Sequence, residues 1–390
     1  QRPITKLGMP SVLVDTIPIV PGRTSTGVKV YLLDLLRAMP MDARAHMTLL
    51  VTRSNASVFG GLDGYRKITV PWDVSSRSVR VLTQQSIVPV VALATGANVL
   101  FEPVDTAALL APVPIVTTLH SSHINMTSDQ MSAPRALYNR VFLRGTVRRS
   151  RRLIAISQFV KDSTIDILDA HPDRVDVVHH GGGLVEKALH DGWHPADEED
   201  TGGILFISTL YPHKNAEGLI RAYSELAKEH DNLPPVYIAG GDTDGESPNE
   251  ENGTERNRLR RLAQDLGVGD AVRFPGRISD ERFLELLGAC ALMVYPSKLE
   301  GFGLPVLEAM QAGLPVVASN QTSVPEIVGE GGITVDPHNT NAIASAIERV
   351  LTNEQLRSEL AQAGRKRGRK FSWEKAARET LEVLDRAARF

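Results

Sequence analysis

The sequence predicts an α/β protein made of two parallel-sheet halves, and three observations lead there. Its 390 residues are too many for one ordinary α/β core and about right for two. Short β-branched runs alternate with helix-patterned stretches over the whole length, as expected of strands buried on both faces. The alternation stops once, between Gly181 and Thr201. There three consecutive glycines, a Trp-His-Pro turn and the acidic run Asp197, Glu198, Glu199, Asp200 read as a linker.

In the first half the expected strands are Ser11 to Ile17, Met47 to Thr52, Asn98 to Phe101, Ile115 to Leu119, Leu153 to Ser157 and Val175 to Val178. Helical pattern fits Gly27 to Ala38, Ala133 to Ser150 and Val160 to Asp169. In the second half the strands are Ile204 to Ser208, Val236 to Ala239, Ala271 to Phe274, Ala291 to Tyr295, Pro315 to Ser319 and Gly332 to Val335. Helices fit Glu217 to Glu229, Arg256 to Leu266, Ser279 to Ala289 and Val306 to Ala312, and helical pattern resumes from Thr340 to the end. The expected domains are residues 1–182, a linker at 183–202, residues 203–370, and a last helix at 371–390 that packs back on the first domain. Open parallel sheets bind ligands beyond the carboxyl ends of their strands, so a cleft between the halves is the expected site.

Composition narrows the function. With 42% apolar and 23% charged residues the chain is globular rather than disordered. A single cysteine, Cys290, excludes a disulfide scaffold and a Cys-rich metal site. A net charge of −3 argues against a polyanion binder, so no nucleic-acid partner is expected. The longest apolar stretch, Ile87 to Ala97, is broken by Pro89 and Gly96 and is far shorter than the roughly 20 residues that span a bilayer. The opening residues carry no apolar export segment, which leads to the expectation of a cytoplasmic protein. One local feature stands out against this background. From Gln130 to Lys161 there is no acidic residue, while Arg135, Arg140, Arg144, Arg148, Arg149, Arg151, Arg152 and Lys161 all fall inside. Arg140, Arg144 and Arg148 recur every four residues and would line one helix face. Such a face suits a lipid-linked acceptor or the anionic inner face of the plasma membrane; a solvated helix face is the simpler reading.

The most informative stretch is Tyr295-Pro-Ser-Lys-Leu-Glu-Gly-Phe-Gly-Leu-Pro-Val-Leu-Glu-Ala-Met. A strand ends near Tyr295, a glycine-rich turn follows, and a helix begins near Pro305. Backbone amides of Gly301, Phe302, Gly303 and Leu304 can point at an anion. Glu300 stands before the turn and Glu308 one turn into the helix, where a carboxylate can accept from a ribose diol. A second element, Ile207-Ser-Thr-Leu-Tyr-Pro-His-Lys-Asn, places Lys214 after a strand, where it can neutralise a diphosphate.

These residues resemble the retaining, nucleotide-sugar-dependent glycosyltransferases of family 4, in a mannosyltransferase-like branch. Two glutamates separated by seven residues mark that family, as Glu300 and Glu308 are here. The resemblance implies the GT-B arrangement, two Rossmann-like domains facing across a cleft with a last helix crossing back. It implies that Glu300 sits by the donor sugar, that Glu308 holds the nucleotide ribose, and that Lys214 and Asn215 form the Lys-Asn pair at the diphosphate. Where many members carry an arginine this chain has Thr209, so the usual cationic clamp is incomplete. By the same resemblance Gly27, in Thr24-Ser-Thr-Gly-Val-Lys, approaches the donor. His120 donates or accepts a hydrogen bond at the donor sugar and joins Glu300 and Lys214 in the catalytic set, with His123 a weaker companion. Gly240-Gly-Asp and Phe274-Pro-Gly-Arg-Ile resemble nucleotide-side loops, which brings Gly240, Arg277 and Ile278 into the donor set. Ser157, Ser323-Val-Pro-Glu-Ile and Trp373 read as structural, and His179 and His180 as residues of an interdomain loop.

The implied reaction transfers a hexose, first of all mannose from GDP-mannose, to a hydroxyl of a glycan or lipid-linked glycan in surface polysaccharide assembly. A UDP- or dTDP-sugar donor with a small-molecule acceptor is the alternative, and a non-catalytic sugar-binding protein a weaker one. No cofactor beyond the nucleotide sugar and no metal is expected, since Asp242 and Asp244 spell an Asp-X-Asp only within a polar loop. A dinucleotide-dependent oxidoreductase is disfavoured because no Gly-X-Gly-X-X-Gly turn follows the first strand.

Overall fold

The computed structural model describes residues 9–21, 26–120, 133–195, 202–241 and 255–389, and the backbone alone of residues 26 and 133–140. The chain divides into two compact units, Gln1–Gly181 with Trp373–Phe390, and Gly182–Ser372. His123, Asp242, Asp244 and the side chains of Arg135 and Arg140 lie outside the described residues.

The first unit is built on β1 (Val12–Asp15), β2 (Met47–Thr52), β3 (Arg66–Val70), β4 (Val99–Glu102), β5 (Ile115–Leu119), β6 (Arg152–Ala155) and β7 (Val175–Val177). They form one parallel sheet in the order β3-β2-β1-β4-β5-β6-β7. Its helices are α1 (Thr26–Ala38), α2 (Met41–Arg44), α3 (Arg77–Thr95), α4 (Ala133–Arg149) and α5 (Gln158–Leu168). Alternation along the strands sorts the core into two layers. Val12, Val14, Leu49, Val51, Val99 and Phe101 pack on one side of the sheet, and Leu13, Leu50 and Leu100 on the other. Ser157 caps α5 by accepting from the Val160 amide at 3.1 Å.

The second unit holds β8 (Gly203–Ile207), β9 (Val236–Ala239), β10 (Val272–Gly276), β11 (Cys290–Tyr295), β12 (Val316–Ser319) and β13 (Ile333–Val335). This sheet is also parallel, ordered β10-β9-β8-β11-β12-β13. Around it lie α6 (Gly183–His190), α7 (Ala216–Leu226), α8 (Glu255–Asp265), α9 (Asp280–Ala289), α10 (Leu304–Ala312), α11 (Val324–Val328), α12 (Thr340–Thr352) and α13 (Glu354–Gly368). The last helix, α14 (Trp373–Ala388), returns to the first unit. Its buried residues Trp373, Ala376, Ala377, Thr380, Val383, Leu384 and Ala387 recur at helical spacing, and the apolar ones join the core layer of Tyr31, Leu32, Leu35 and Leu36 from α1.

The α/β architecture with parallel sheets is the one expected, and, besides the short helices α2 and α11, three elements differ from the sequence reading. β3 escaped notice because it is an edge strand whose Arg66 and Lys67 face solvent. α3 was hidden by Pro89 and by apolar residues on opposite faces, with Thr83 and Gln84 buried among them, which blurs the helical period. The stretch read as a linker opens with α6, which packs on α10. Its glycines are there for close packing. A Cβ on Gly182 would fall 1.6 Å from Gln311 Oε1, and Gly183 takes φ +53° with room for no side chain beside Glu308.

Candidate active site

The strand order of the second sheet reverses direction between β8 and β11, and at such a switch point the chain leaves a crevice beyond the strand ends. Lys214 ends a short 3-10 turn that follows β8, and Glu300 follows β11, so the two lie on the two strands that flank the switch. Lys214 Nζ stands 2.7 Å from Glu300 Oε1 and 2.9 Å from Oε2. The pair is largely buried, with side-chain exposures of 16% and 9%. Tyr295, the last residue of β11, donates its hydroxyl to Glu300 Oε1 at 2.7 Å. Burial works against the charge on Glu300, but Lys214, Tyr295 and Ser297 together outweigh it and hold the carboxyl below its ordinary range. His213, next to this cation, is held below the usual histidine range by burial and by Lys214.

The backbone around Glu300 is pinned from three sides. Its amide donates to Thr322 Oγ1 at 3.1 Å, and Ser323 Oγ donates to the carbonyls of Glu300 and Phe302 at 3.0 Å each. The Lys298 amide donates to the His213 carbonyl at 2.8 Å, which ties the two loops together. Asn215 was expected to touch the donor, and the structure gives it another task. It sits in the left-handed region at φ 63°, caps α7 through its side-chain oxygen, and spends both amide hydrogens on the carbonyls of Pro296 and Pro337. It positions the turn that carries Lys214.

The glycine-rich turn expected before a helix is formed. Gly303, at φ 105°, precedes α10 without a side-chain cap, and Pro305 occupies the first turn. Phe302 is buried edge-on against Phe371, which fixes the turn from below. Glu308 is buried on α10 and accepts from the Leu184 amide at 2.9 Å. On the other side of β8 the loops after β8, β9 and β10 lie in a row. Thr209 is exposed, Arg277 is exposed and lies over Gly241, and Ile278 is half-buried. Gly240 takes φ +136°, and a Cβ there would meet the Ser208 carbonyl at 1.8 Å, so only glycine lets these two loops close up. The second unit therefore pairs Lys214 with Glu300, carries Gly301, Phe302, Gly303, Leu304 and Glu308 on the turn and helix that follow, and holds Thr209, Gly240, Arg277 and Ile278 on the loops after β8, β9 and β10.

Gly27 and His120 belong to the first unit. Gly27 opens α1 with open space where a Cβ would stand. His120 follows β5 and is buried. Its amide donates to Asp105 Oδ1 at 2.8 Å, and its Nε2 lies 2.9 Å from the Pro103 carbonyl. A carbonyl only accepts, so Nε2 carries a proton, and in the neutral ring Nδ1 is the acceptor. His180 lies, as expected, in the loop between β7 and α6. It is buried, stacked between Tyr31 and Trp373 at 4.8 and 5.4 Å, and burial drives its ring well below the usual histidine range.

Sequence reasoning missed a buried carboxyl pair at the switch point of the first sheet. Asp15 ends β1 and Glu102 ends β4, both fully buried, and the Gln84 amide donates to each, at 2.9 and 3.3 Å. Burial pushes Asp15 from 3.8 up to about 6 despite the Ile17 amide, and burial and the neighbouring Asp15 charge push Glu102 well above its ordinary range. Groups raised in this way bind more protons in the folded state. Their stabilisation is complete below about pH 4 and is lost as pH rises through about 6 and beyond. In Glu102→Gln the side-chain oxygen can still accept from Ala108, and the new amide can donate to an ionised Asp15. That variant is expected to gain on the order of 2 kcal/mol near pH 8 and to lose the decline, as read by urea unfolding at about pH 5 and about pH 8. A wild-type stability that does not fall across this range would reject the raised values of the pair. Thr322 and Leu184 were also missed, because each acts through a partner remote in sequence, and Tyr295 was read only as a strand end although Glu300 is five residues on.

Comparison with known proteins places these residues in context. The model of the family described as Glycosyltransferase Family 4 matches residues 25–181, and that of Glycosyl transferases group 1 matches residues 194–367. The chain is 29% identical over 280 residues to O-antigen chain mannosyltransferase B of Escherichia coli, covering 69% of each protein. It is 32% identical over 262 residues to D-inositol 3-phosphate glycosyltransferase of a Nocardioides species, covering 62% of this chain but 55% of that relative's length. Among solved structures it superposes with a TM-score of 0.70 on Anabaena Alr3699/HepE in complex with UDP-glucose, at 20% identity, over 96% of this chain and 98% of that one.

Proposed function

From the premise that this chain belongs to the family 4 glycosyltransferases and has their GT-B fold, we propose that it transfers a hexose with retention from a nucleoside diphosphate sugar to an acceptor hydroxyl. The observation that carries the reading is the buried Lys214–Glu300 pair at the switch point, next to the glycine-bounded start of α10. Departure of the nucleotide develops negative charge on the diphosphate. Lys214 and the amides of Gly301, Phe302, Gly303 and Leu304 are assigned to that charge, in a site whose low exposure strengthens them. This division of labour calls for no metal ion. Thr209 offers a hydroxyl where a guanidinium would strengthen the clamp, and Arg277, exposed after β10 beside Gly241, is assigned to the nucleotide side.

Glu300 is assigned to orienting the sugar, not to covalent attack. A carboxylate already bonded to Lys214 and Tyr295 is a poor nucleophile and a good fixed acceptor for sugar hydroxyls. The leaving phosphate then deprotonates the incoming hydroxyl on the same face. Glu308 has acceptor capacity beyond the Leu184 bond and is assigned to the ribose diol. His120, with Nδ1 as acceptor, takes a sugar hydroxyl, and Gly27 keeps the start of α1 open for the donor.

The donor read first is GDP-mannose, supported by the mannosyltransferase relative, with a glycan or lipid-linked glycan acceptor in surface polysaccharide assembly at the cytoplasmic face of the membrane. A UDP-sugar with a small phosphorylated acceptor is the second reading, favoured by the inositol phosphate glycosyltransferase at 32% identity. A donor screen that reports released GDP or UDP separates them, followed by linkage analysis of the product. Release of GDP from GDP-mannose and an α-linked product are expected. A screen without turnover and without a nucleotide-dependent thermal shift would overturn the transferase reading.

A further inference from the structure

Away from the transfer site, one cluster of donor atoms among the described residues has the chemistry of a cation site. Glu229 and His230 follow α7, and Glu348 stands on α12. One ligand atom from each, a carboxylate oxygen or an imidazole nitrogen, lies within 4.8 Å of the other two. His230 Nε2 is 2.8 Å from Glu348 Oε1, and these side chains are 36% and 37% exposed. Glu229 is exposed, so ions in solution reach all three.

The backbone prepares this cluster. α7 ends at Leu226, whose carbonyl accepts from the amides of both Glu229 and His230 at 3.0 Å each, which fixes the turn that carries them. Glu348 comes from the helix packed along α7, with Leu219, Tyr223, Ile343 and Ile347 in one shared core. Its backbone is therefore held beside the turn by helix packing and not by a loop. The electrostatics leave the cluster short of positive charge. Two carboxylates face one imidazole, and exposed Asp231 follows in the chain. Lys228 is spent on Glu225 at 2.7 Å, and among the described residues no lysine or arginine pairs with Glu229 or Glu348. Carboxylates this close repel one another, and a bound cation relieves the repulsion.

The donor set decides the class of ion. Magnesium and calcium prefer shells made of oxygen alone. Imidazole nitrogen beside carboxylate oxygen suits Zn²⁺ and its first-row neighbours. Three protein donors leave a fourth position to water. Two ligand atoms on a tetrahedral zinc ion stand about 3.3 Å apart, so His230 and Glu348 have to part by roughly half an ångström. Two partly exposed side chains can do so. The proton now between them moves to Nδ1 or to water as the ion takes Nε2.

We propose that Glu229, His230 and Glu348 form a site for a zinc-class divalent cation that clips the end of α7 to α12. The site is a fastening and not a second catalytic centre. Lys214 precedes the other end of α7, and the 11 residues of that helix span about 16 Å. At the Lys214 end Asn215 already holds the Pro337 carbonyl, just ahead of α12, at 2.8 Å. The cation closes the same helix pair at its far end, so the helix behind the Lys214 turn is held at both ends. Binding and melting are read without substrate, and a failure there leaves the transfer reaction untouched.

The test is calorimetric titration of the metal-stripped whole chain with Zn²⁺, with the melting temperature as a second reading. One strong site per chain is expected, and Zn²⁺ but not Mg²⁺ should raise the melting temperature. His230→Ala should abolish that rise, and Glu348→Gln and Glu229→Gln should each weaken binding by about ten-fold or more. Without metal the three variants should melt close to the wild type, because the side chains are partly exposed and their pairing is worth little. Nucleotide-sugar hydrolysis should be the same in His230→Ala as in the wild type. Uptake of Zn²⁺ by His230→Ala as in the wild type, a wild-type melting temperature that Zn²⁺ does not raise, or unchanged affinity in both glutamine variants would each overturn the proposal.

Discussion

Replacing Lys214 by alanine is expected to lower turnover by about 10²- to 10³-fold, the effect of removing one charge-stabilising group from a transition state. It is also expected to destabilise the second unit by about 3 kcal/mol, because the Glu300 carboxylate stays buried without its cation. The two effects separate in a double variant. Lys214→Ala with Glu300→Gln removes the stranded charge, so melting should recover most of the loss while turnover stays low. The pH dependence changes sign as well. In the wild type Glu300 lies below its ordinary value of 4.5, so its contribution is present above that value and is lost as pH falls through the lower folded-state value. Without Lys214 burial is the largest influence left, the carboxyl moves upward, and stability declines as pH rises instead. Unfolding curves at several pH values, with single-turnover rates on the same proteins, read both effects. A single variant with near-normal turnover would remove Lys214 from the reaction.

Glu308→Ala is expected to act on binding more than on rate. Losing a carboxylate acceptor costs about 1.5–3 kcal/mol, which corresponds to roughly ten- to a hundred-fold weaker nucleotide-sugar binding. The rate at saturation should change far less, because the ribose contact is made alike in ground and transition states. Glu308→Gln keeps an oxygen that can accept from the Leu184 amide and should fall between the two. Calorimetric titration of nucleotide and of nucleotide sugar gives the affinities. If Glu308→Ala binds as the wild type does, the carboxylate serves only to hold the start of α6 against α10.

Much of the site was legible because its parts are local. The glycines at 301 and 303, Pro305 and the seven-residue gap between Glu300 and Glu308 belong to one turn and one helix, and short-range spacing is what a sequence displays. The same holds for Lys214 in the turn after β8. The structural task of Asn215 was not legible, because a left-handed residue that caps a helix and a ligand-binding amide look alike in sequence; its two carbonyl partners, Pro296 and Pro337, come from distant loops. The linker was misread for a related reason. Three glycines signal freedom in isolation, but here Gly182 and Gly183 are small because α10 presses against them.

The sequence by itself determined the two α/β halves and all their strands but the edge strand β3, since hydrophobic period and turn chemistry are encoded within a few neighbours. Tertiary structure alone decided which groups share a charge. Lys214 and Glu300 are 86 positions apart, and Asp15 and Glu102 stand on strands that are neighbours only because β4 returns beside β1. It also decided that one apolar face of α3 is covered and the other is not. A period reports where apolar side chains point, and only packing supplies, or withholds, what covers them.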